Sequence, residues 1–275
     1  MATDEPIRVI TGATAGIGLA LAKRLAAAGP IALVARDNAK AEAARNEILS
    51  AVPGAAVEVY VADLSSQSDV RSLASQLSDA HPRIAALVNV AGVFSSKRVE
   101  TTDGLELMFA TNHLGPFLLT NLLLPALTAS GAAHVLTVAS PSGTRLKFDD
   151  LQGSQQFSAL SAFSASKTAN LLFTFELARR VAGSGVTANV VHPGLSRTRL
   201  MRQASPLLRA LFALMSAPVN KVAERIAPLL LDDAHASANG QFFYKGRSID
   251  PPKYTRDVDE QHRLWQVSEQ LTGLA

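Results

Sequence analysis

The segment "IRVITGATAGIG" at residues 7–18 decides the fold class of this chain. An apolar, β-branched run ends at Thr11, and the glycines Gly12, Gly16 and Gly18 come directly before a stretch with helical apolar spacing. Glycines allow a tight turn and let backbone N–H groups approach a diphosphate at the positive end of a helix. In this context the triplet predicts a nucleotide-binding βαβ unit, with a ligand-free glycine-rich turn as the alternative.

Apolar runs of the same kind recur along the chain, with amphipathic stretches between them. The predicted strands are 7–11, 31–35, 57–62, 84–90, 134–140 and 186–191. Such near-continuous runs are typical of strands covered on both faces. The stretches 15–29 and 39–52 have helical spacing, and Gly29 is the expected stop of the first helix. The alternation predicts an α/β fold with one doubly wound, Rossmann-type parallel sheet of seven strands and helices on both faces.

The domain organisation follows from the same rhythm. With no internal repeat or linker in view, residues 1–275 are expected to form a single domain. The stretch 195–232 interrupts the alternation with a mostly helical segment. We expect a small substrate lobe there, because ligands bind outside the carboxyl ends of the strands. A helix that covers the core is the alternative.

Composition narrows the classes of function. Of the 275 residues, 48% are hydrophobic and 18% charged, and the net charge of +3 comes from scattered residues. Globular composition without a basic block gives little support for nucleic acid binding. The chain has no cysteine, which excludes disulfides and thiolate catalysis, and no metal-site motif stands out. No signal-peptide pattern or uninterrupted apolar span is evident, so we expect a cytoplasmic protein and a buried helix at 117–127.

The glycine spacing resembles the TGxxxGIG pattern of the short-chain dehydrogenase/reductase family. Further motifs across nearly the whole chain resemble the same family: "VADL" (61–64), "NVAG" (89–92), "TNHLGPFLLT" (111–120), "VASPSG" (138–143) and "VVHPGLSRT" (190–198). Residues 167–194 and 262–273 are similar to the retinol-dehydrogenase-like branch. The resemblance implies an oxidoreductase with a nicotinamide cofactor, as a monomer or a homodimer.

The resemblance also implies which residues form the site. Asp63 would contact the adenine, and the loop after the sixth strand would clasp the carboxamide. The full cofactor set is Gly12, Thr14, Ala15, Gly16, Ile17, Gly18, Arg36, Asp63, Leu64, Asn89, Ala91, Gly92, Lys167, Pro193, Gly194 and Thr198. Asn112, Ser140 and Lys167 match the catalytic positions, and the substrate-facing set is Ser95, Ser140, Phe163, Leu195 and Met201.

The end of the second strand bears on the choice of cofactor. Family members that prefer NAD usually end this strand with an acidic residue, whereas here Ala35 occupies that position and Arg36 follows. An arginine can pair with the 2′-phosphate through charge-assisted hydrogen bonds. Asp37 complicates this interpretation, and an ordinary surface arginine is the alternative. We expect NADPH, and with it reduction of a carbonyl.

The catalytic helix departs from the family at one position. The family has a tyrosine four residues before the lysine, but this chain has Phe163 there, which carries no exchangeable proton. Loss of a positioned general acid typically costs on the order of 10²–10⁴-fold in rate. Three replacements are open: a protein group, a water or ribose hydroxyl held by Lys167, or a phenol on the substrate itself. The protein candidates are Ser140, Ser95, Ser96, Ser161, Ser164, Ser166 and His192.

The third replacement is favoured, because it explains how Phe163 can coexist with Asn112, Ser140 and Lys167. The chain also resembles Tyr-less ketoreductases of aromatic polyketide antibiotic pathways. The expected activity is NADPH-dependent reduction of a ketone on a polycyclic aromatic substrate, an angucyclinone or quinone-like polyketide. A catalytically silent NADPH-binding regulator or scaffold and a non-redox cyclase or isomerase are the alternatives.

Overall fold

The computed structural model describes residues 5–142, 144–194 and 217–274 of the chain. Eight strands form one sheet, and numbered along the chain their order is 3-2-1-4-5-6-7-8. Their bounds are β1 (Ile7–Thr11), β2 (Ile31–Ala35), β3 (Val57–Val61), β4 (Ile84–Asn89), β5 (Ala133–Val138), β6 (Val186–His192), β7 (Phe242–Tyr244) and β8 (Arg247–Ile249). The order reverses between β1 and β4, which creates the crevice where doubly wound sheets bind ligands.

Helices cover both faces of the sheet. They are α1 (Gly16–Ala26), α2 (Asn38–Ala51), α3 (Gln67–Ala80), α4 (Leu107–Phe109), α5 (Gly115–Ala129), α6 (Ala159–Arg180), α7 (Val219–Ile226), α8 (Pro228–Leu231) and α9 (Val258–Thr272). The helices α3, α5, α6 and α9 pack on one face, and α1, α2, α7 and α8 pack on the other. The doubly wound prediction is therefore confirmed, and every apolar strand is covered as its sequence requires.

The predicted number of strands was wrong. The structure has eight instead of seven, and β8 runs antiparallel to β7. These two strands have three residues each and are joined by the tight turn at Lys245 and Gly246, both with positive φ. All residues of β8 are exposed, so the strand lacks the apolar run that marks the others. The prediction that α1 extends to Gly29 also fails, because the helix ends at Ala26.

The apolar stretch at 117–127 lies in α5, as expected for a buried helix. Residues 107–129 are long and apolar enough to cross a membrane by length and composition alone. However, 78% of the apolar 18-residue stretch within this range is buried in the fold. Phe117 and Leu118 have no exposed surface and pack under the sheet. This is the pattern of a core helix.

The expected substrate lobe falls partly outside the described residues. Residues 195–216 are not described, whereas α7 and α8 pack beside α1 on the core. Val222, Ala223 and Ile226 are buried there, and Glu224 pairs with Arg24 of α1 at 2.6 Å. The helices α7 and α8 thus cover the core. The substrate lobe expected in residues 195–216 stays a prediction.

A buried histidine joins the C-terminal helix to the centre of the fold. Between α4 and α5 the backbone makes a π-helical turn (Ala110–Leu114), and His113 in this turn is fully buried. Ser268 of α9 donates its hydroxyl to Leu264 O at 2.8 Å, so it accepts from His113 Nε2, also at 2.8 Å. Burial lowers the pKa of His113 to about 3, although the contact with Asn170 acts in the opposite direction.

This burial makes folding stability depend on pH. The unfolded chain takes up a proton on His113 below about pH 6.5, while the folded state resists it down to about pH 3. We therefore expect the free energy of unfolding to decrease as the pH falls through this window, by at most about 1.4 kcal/mol per pH unit from this group. Urea titrations at several pH values measure the slope.

The variant His113→Gln should flatten that slope, while His262→Gln, at a side chain that is 53% exposed, should not. Equal slopes for the native chain and His113→Gln would contradict the assignment.

Candidate active site

The carboxyl ends of β1 and β4 meet at the crevice through one threonine. The fully buried Thr11 hydroxyl donates to Val88 O at 3.3 Å and accepts from the N–H groups of Val90 and Ala91 at 3.1 and 3.2 Å. Gly12 follows with φ +68°, and a Cβ placed on it would lie 2.8 Å from Ala91 Cα. The two strand ends are thus in contact, and the turn that follows cannot accept a side chain at this position.

The glycine-rich turn presents a helix end that can hold an anion. A Cβ on Gly18 would lie 2.3 Å from Gly12 O, and Gly16 has φ +59°, so the turn requires glycine at each of the three positions. Thr14 and Ala15 lie in this turn, and Ile17 begins the buried face of α1. Ala15 offers no side-chain cap to the first N–H groups of α1. Free N–H groups at the positive end of a helix fit the diphosphate of a nucleotide.

Charged residues lie at the end of β2 and at the start of α2. Arg36 is exposed, with its Nη1 3.8 Å from Asp63 Oδ2. Asp37 is occupied as the cap of α2, because it accepts from the N–H of Lys40 at 3.0 Å and from its ammonium at 2.8 Å. These hydrogen bonds to Lys40 lower the pKa of Asp37. The Asp37 carboxylate, which complicated the choice of cofactor from the sequence, is therefore engaged by the first turn of α2.

Asn112 lies in the π-helical turn and fastens the segment after β4. Its Oδ1 accepts from the N–H of Val93 at 2.7 Å, and its Nδ2 donates to Val93 O at 3.1 Å and to Ser166 Oγ at 3.0 Å. Ser166 in turn donates to Phe163 O at 2.7 Å. A π-helical turn inside a helix is rare and is often found at functional sites. Here the turn places the Asn112 side-chain amide where it bonds both to the segment after β4 and to α6.

Lys167 reaches the crevice from α6 and is almost fully buried. A Cβ on Gly92 would lie 3.3 Å from Lys167 Nζ and 3.3 Å from Asn112 Oδ1, so the amine lies next to this glycine and to the Asn112 side chain. Burial lowers the pKa of Lys167 to about 8. At neutral pH the amine is still mostly charged, and it can hold an anion or a pair of hydroxyl groups.

Phe163 forms an apolar wall next to that charge. Its ring centroid lies 5.4 Å from Lys167 Nζ and 5.7 Å from the ring of Phe94, which it meets edge to face at 74°. Ser140 is half-buried just beyond the end of β5. Phe94 was not among the sequence-predicted residues, because it lies in an irregular segment after the "NVAG" motif. The signal available in the sequence was an aromatic residue one position before Ser95.

Two tyrosines lie nearer to the site than their sequence positions suggest. A Cβ on Gly194 would lie 3.5 Å from the ring of Tyr244, and the Tyr254 hydroxyl lies 3.5 Å from Thr168 Oγ1. Tyr60 is on β3 at the edge of the sheet, and its hydroxyl donates to Glu58 at 2.9 Å.

His192 stacks on Tyr244, with 5.0 Å between the ring centroids, and burial lowers the pKa of His192. Its Nδ1 accepts from the N–H of Gly194 at 3.4 Å, which is the pattern of a structural loop residue.

The remaining predicted residues have mixed positions. Asn89 is buried at the end of β4 and donates to Thr120 Oγ1 at 3.3 Å, while Leu64 packs against Gly115. The Ser95 hydroxyl donates to Lys97 O at 2.6 Å, which makes it a local turn contact. Pro193 and Gly194 directly follow β6. The predicted residues Leu195, Thr198 and Met201 lie outside the described residues.

Comparison with known proteins agrees with this geometry. Residues 7–207 match the family described as short chain dehydrogenase. The chain belongs to the short-chain dehydrogenase family. It is 35% identical to retinol dehydrogenase 13 of Homo sapiens, over 97% of this chain and 84% of the relative. It is 38% identical to retinol dehydrogenase 12 of Mus musculus, over 97% and 86%.

Several solved structures share the fold. An uncharacterised protein from Mycobacterium paratuberculosis is 34% identical and matches with a TM-score of 0.75 over 98% of this chain and 94% of its own. A metagenomic short-chain oxidoreductase in complex with NADP is 26% identical, with a TM-score of 0.65 over 88% and 96%. The chain is therefore an oxidoreductase of this family, and the nicotinamide cofactor that the motifs imply fits the crevice between β1 and β4.

The buried amine of Lys167 gives a direct test of the site. In a protein labelled with ¹³C at the lysine Cε positions, we expect one resonance to titrate near pH 8 and to disappear in Lys167→Met. Nuclear magnetic resonance measures both properties without substrate. If the resonance that disappears titrates near the ordinary lysine value of about 10.4, the amine is not desolvated as described.

Proposed function

We propose that this short-chain dehydrogenase is an NADPH-dependent ketoreductase for polycyclic aromatic ketones, of the angucyclinone or quinone-like polyketide class, and that it contributes to antibiotic biosynthesis. The bound nucleotide would supply the hydride. The observation that carries the proposal is the position of Phe163, whose ring lies against Phe94 and beside the Lys167 ammonium. An apolar aromatic wall next to a positive charge suits a flat phenolic substrate that develops negative charge.

The proposed reaction balances without a protein acid. As hydride adds to the carbonyl carbon, the C=O π bond breaks and its oxygen takes the proton of a neighbouring phenol. The phenol becomes a phenolate, which later recovers a proton from water. Lys167 favours this anion because an opposite charge nearby stabilises the ionised form of a phenol. Solvent is the second source of the proton at the same oxygen.

The residues at the end of β2 support NADPH over NADH. Arg36 is the exposed cation there, and the acidic residue that could hold ribose hydroxyls, Asp37, is committed to Lys40. The cofactor in the NADP complex of the metagenomic relative is consistent with this choice. Since Ala35 leaves no carboxylate at the strand end itself, a 2′-phosphate meets no repulsion at that residue.

Removal of Arg36 should weaken binding of NADPH specifically. Hydrogen bonds to charged groups contribute roughly 1.5–3 kcal/mol, so Arg36→Ala should raise the Kd for NADPH about 10- to 100-fold. The Kd for NADH should stay within about twofold, because NADH lacks the phosphate that Arg36 would pair with. Fluorescence titration with both nucleotides provides the measurement.

The control variant is Lys23→Ala, which removes an equal charge from α1, where Lys23 is paired with Glu47. A parallel loss of NADPH and NADH affinity in Arg36→Ala, or no loss of either, would refute the assignment.

The source of the proton can be tested on the substrate. A polycyclic ketone with an adjacent phenol should be reduced, and its methyl ether should react about 10²- to 10⁴-fold more slowly, the range typical for loss of a positioned acid. Tyr244→Phe and Tyr254→Phe should both retain activity, because neither hydroxyl is the donor. Oxidation of NADPH followed by absorbance gives the rates.

Equal rates for the ketone and its methyl ether would exclude proton transfer from the phenol. A large loss in Tyr244→Phe would instead identify a protein donor. NADPH binding without turnover of any ketone would favour the silent regulator, and oxidation of retinol with NADP⁺ would place the chain with its named relatives.

A further inference from the structure

A second hydroxyl network lies on α6, one residue beyond Lys167. Thr168 is fully buried, and its Oγ1 donates to Thr144 O at 2.7 Å. It also lies 2.7 Å from Ser142 Oγ and 3.2 Å from Ser164 O. The Tyr254 hydroxyl is more distant, at 3.5 Å. Thr168 therefore contacts the segment after β5 at two points.

The hydrogen-bond assignment is constrained by what hydroxyls can do. A hydroxyl has one proton to donate and two lone pairs that accept. If Thr168 gives its proton to Thr144 O, the Ser142 proton serves both Thr168 Oγ1 at 2.7 Å and Ser164 O of α6 at 3.0 Å. The N–H of Thr144 approaches Ser142 Oγ at 3.4 Å. The Thr168 hydroxyl thus holds both Ser142 and Thr144 to α6, and Ser164 O is a second contact for Ser142.

Helix geometry alone does not require these contacts. Thr174, six residues further along α6, is equally buried, and its hydroxyl donates to Asn170 O of the same helix at 2.7 Å. Thr168 has a comparable intrahelical partner in Ser164 O, but its shorter contacts cross to another part of the chain. Thr174 is therefore the ordinary helical threonine, and Thr168 is the exception.

The segment that Thr168 holds continues directly from Ser140. Ser140 lies two residues before Ser142, and Lys167 immediately precedes Thr168. A contact between Thr168 and Ser142 consequently limits how far Ser140 can move relative to the Lys167 amine. Displacement of a substrate-positioning group by about 1 Å can cost on the order of 10²-fold in rate.

We propose that Thr168 is a positioning residue that fixes the Ser140 segment against α6 through Ser142 and Thr144, and so sets the distance between Ser140 and Lys167. The inference rests on the proposed function, since it assigns Thr168 a part in ketone reduction.

The test combines kinetics with a probe that needs no turnover. Thr168→Val removes the hydroxyl at nearly constant shape, Thr168→Ser retains it, and Thr174→Val is the matched control on the same helix. Because the chain has no cysteine, Arg145→Cys at an exposed position can carry a single nitroxide next to the held segment. Electron paramagnetic resonance then reports the mobility of that segment.

We expect the nitroxide spectrum to sharpen in Thr168→Val and to stay unchanged in Thr168→Ser and Thr174→Val. In the unlabelled protein, Thr168→Val should lower kcat/KM for the ketone about 10-fold, mainly through kcat, with the Kd of NADPH within about twofold. Ser142→Ala removes the contact with Thr168 together with the bond to Ser164 O, and it should reproduce both effects if Thr168→Val does not fold.

Each result decides the inference. Unchanged spectra in Thr168→Val and Ser142→Ala overturn the contact. Sharpened spectra with unchanged kcat/KM, or an equal kinetic loss in Thr174→Val, overturn the positioning role. If the native chain turns over no ketone, the proposed function fails by itself, and the nitroxide spectra still support or overturn the fixed segment.

Discussion

Thr11 ties the ends of β1 and β4 together, and the other parts of the site are placed by that contact. Its hydroxyl takes the N–H groups of Val90 and Ala91 while donating to Val88 O. The approach is so close that Gly12 cannot carry a Cβ opposite Ala91. The chain must therefore turn at once into α1, whose amino end faces the crevice, while the β4 segment continues to Gly92 beside Asn112 and Lys167. One crowded contact thus aligns the glycine-rich turn with α6.

The site combines a desolvated charge with an apolar neighbour. Lys167 loses hydration because the segment around Gly92, the π-helical turn and Phe163 enclose it. Because position 163 carries no tyrosine, the Lys167 ammonium has no protein phenol there whose pKa it could lower. The edge-to-face pair of Phe94 and Phe163 adds a surface suited to flat rings. These features are the basis of the proposal that the substrate brings its own acidic group.

Much of the fold could be predicted from the sequence, because the six longer strands are apolar runs that end within two residues of the predicted bounds. The hairpin of β7 and β8 could not, since its strands have three residues each and β8 is exposed. The motifs predicted Asn112, Ser140, Lys167 and the glycine turn as site residues by resemblance. They did not reveal Phe94 or Thr168, because those contacts join segments far apart in sequence. Local patterns carry no information about such pairs.

The central claim is that the crevice reduces a ketone although Phe163 replaces the acid. A single turnover with NADPH deuterated at both C4 positions, and a phenolic polycyclic ketone, tests it most directly. Mass spectrometry of the product should find one deuterium on the new carbinol carbon and none on oxygen after exchange with water. A product without deuterium, or a nucleotide that stays reduced while the ketone is bound, would contradict the account.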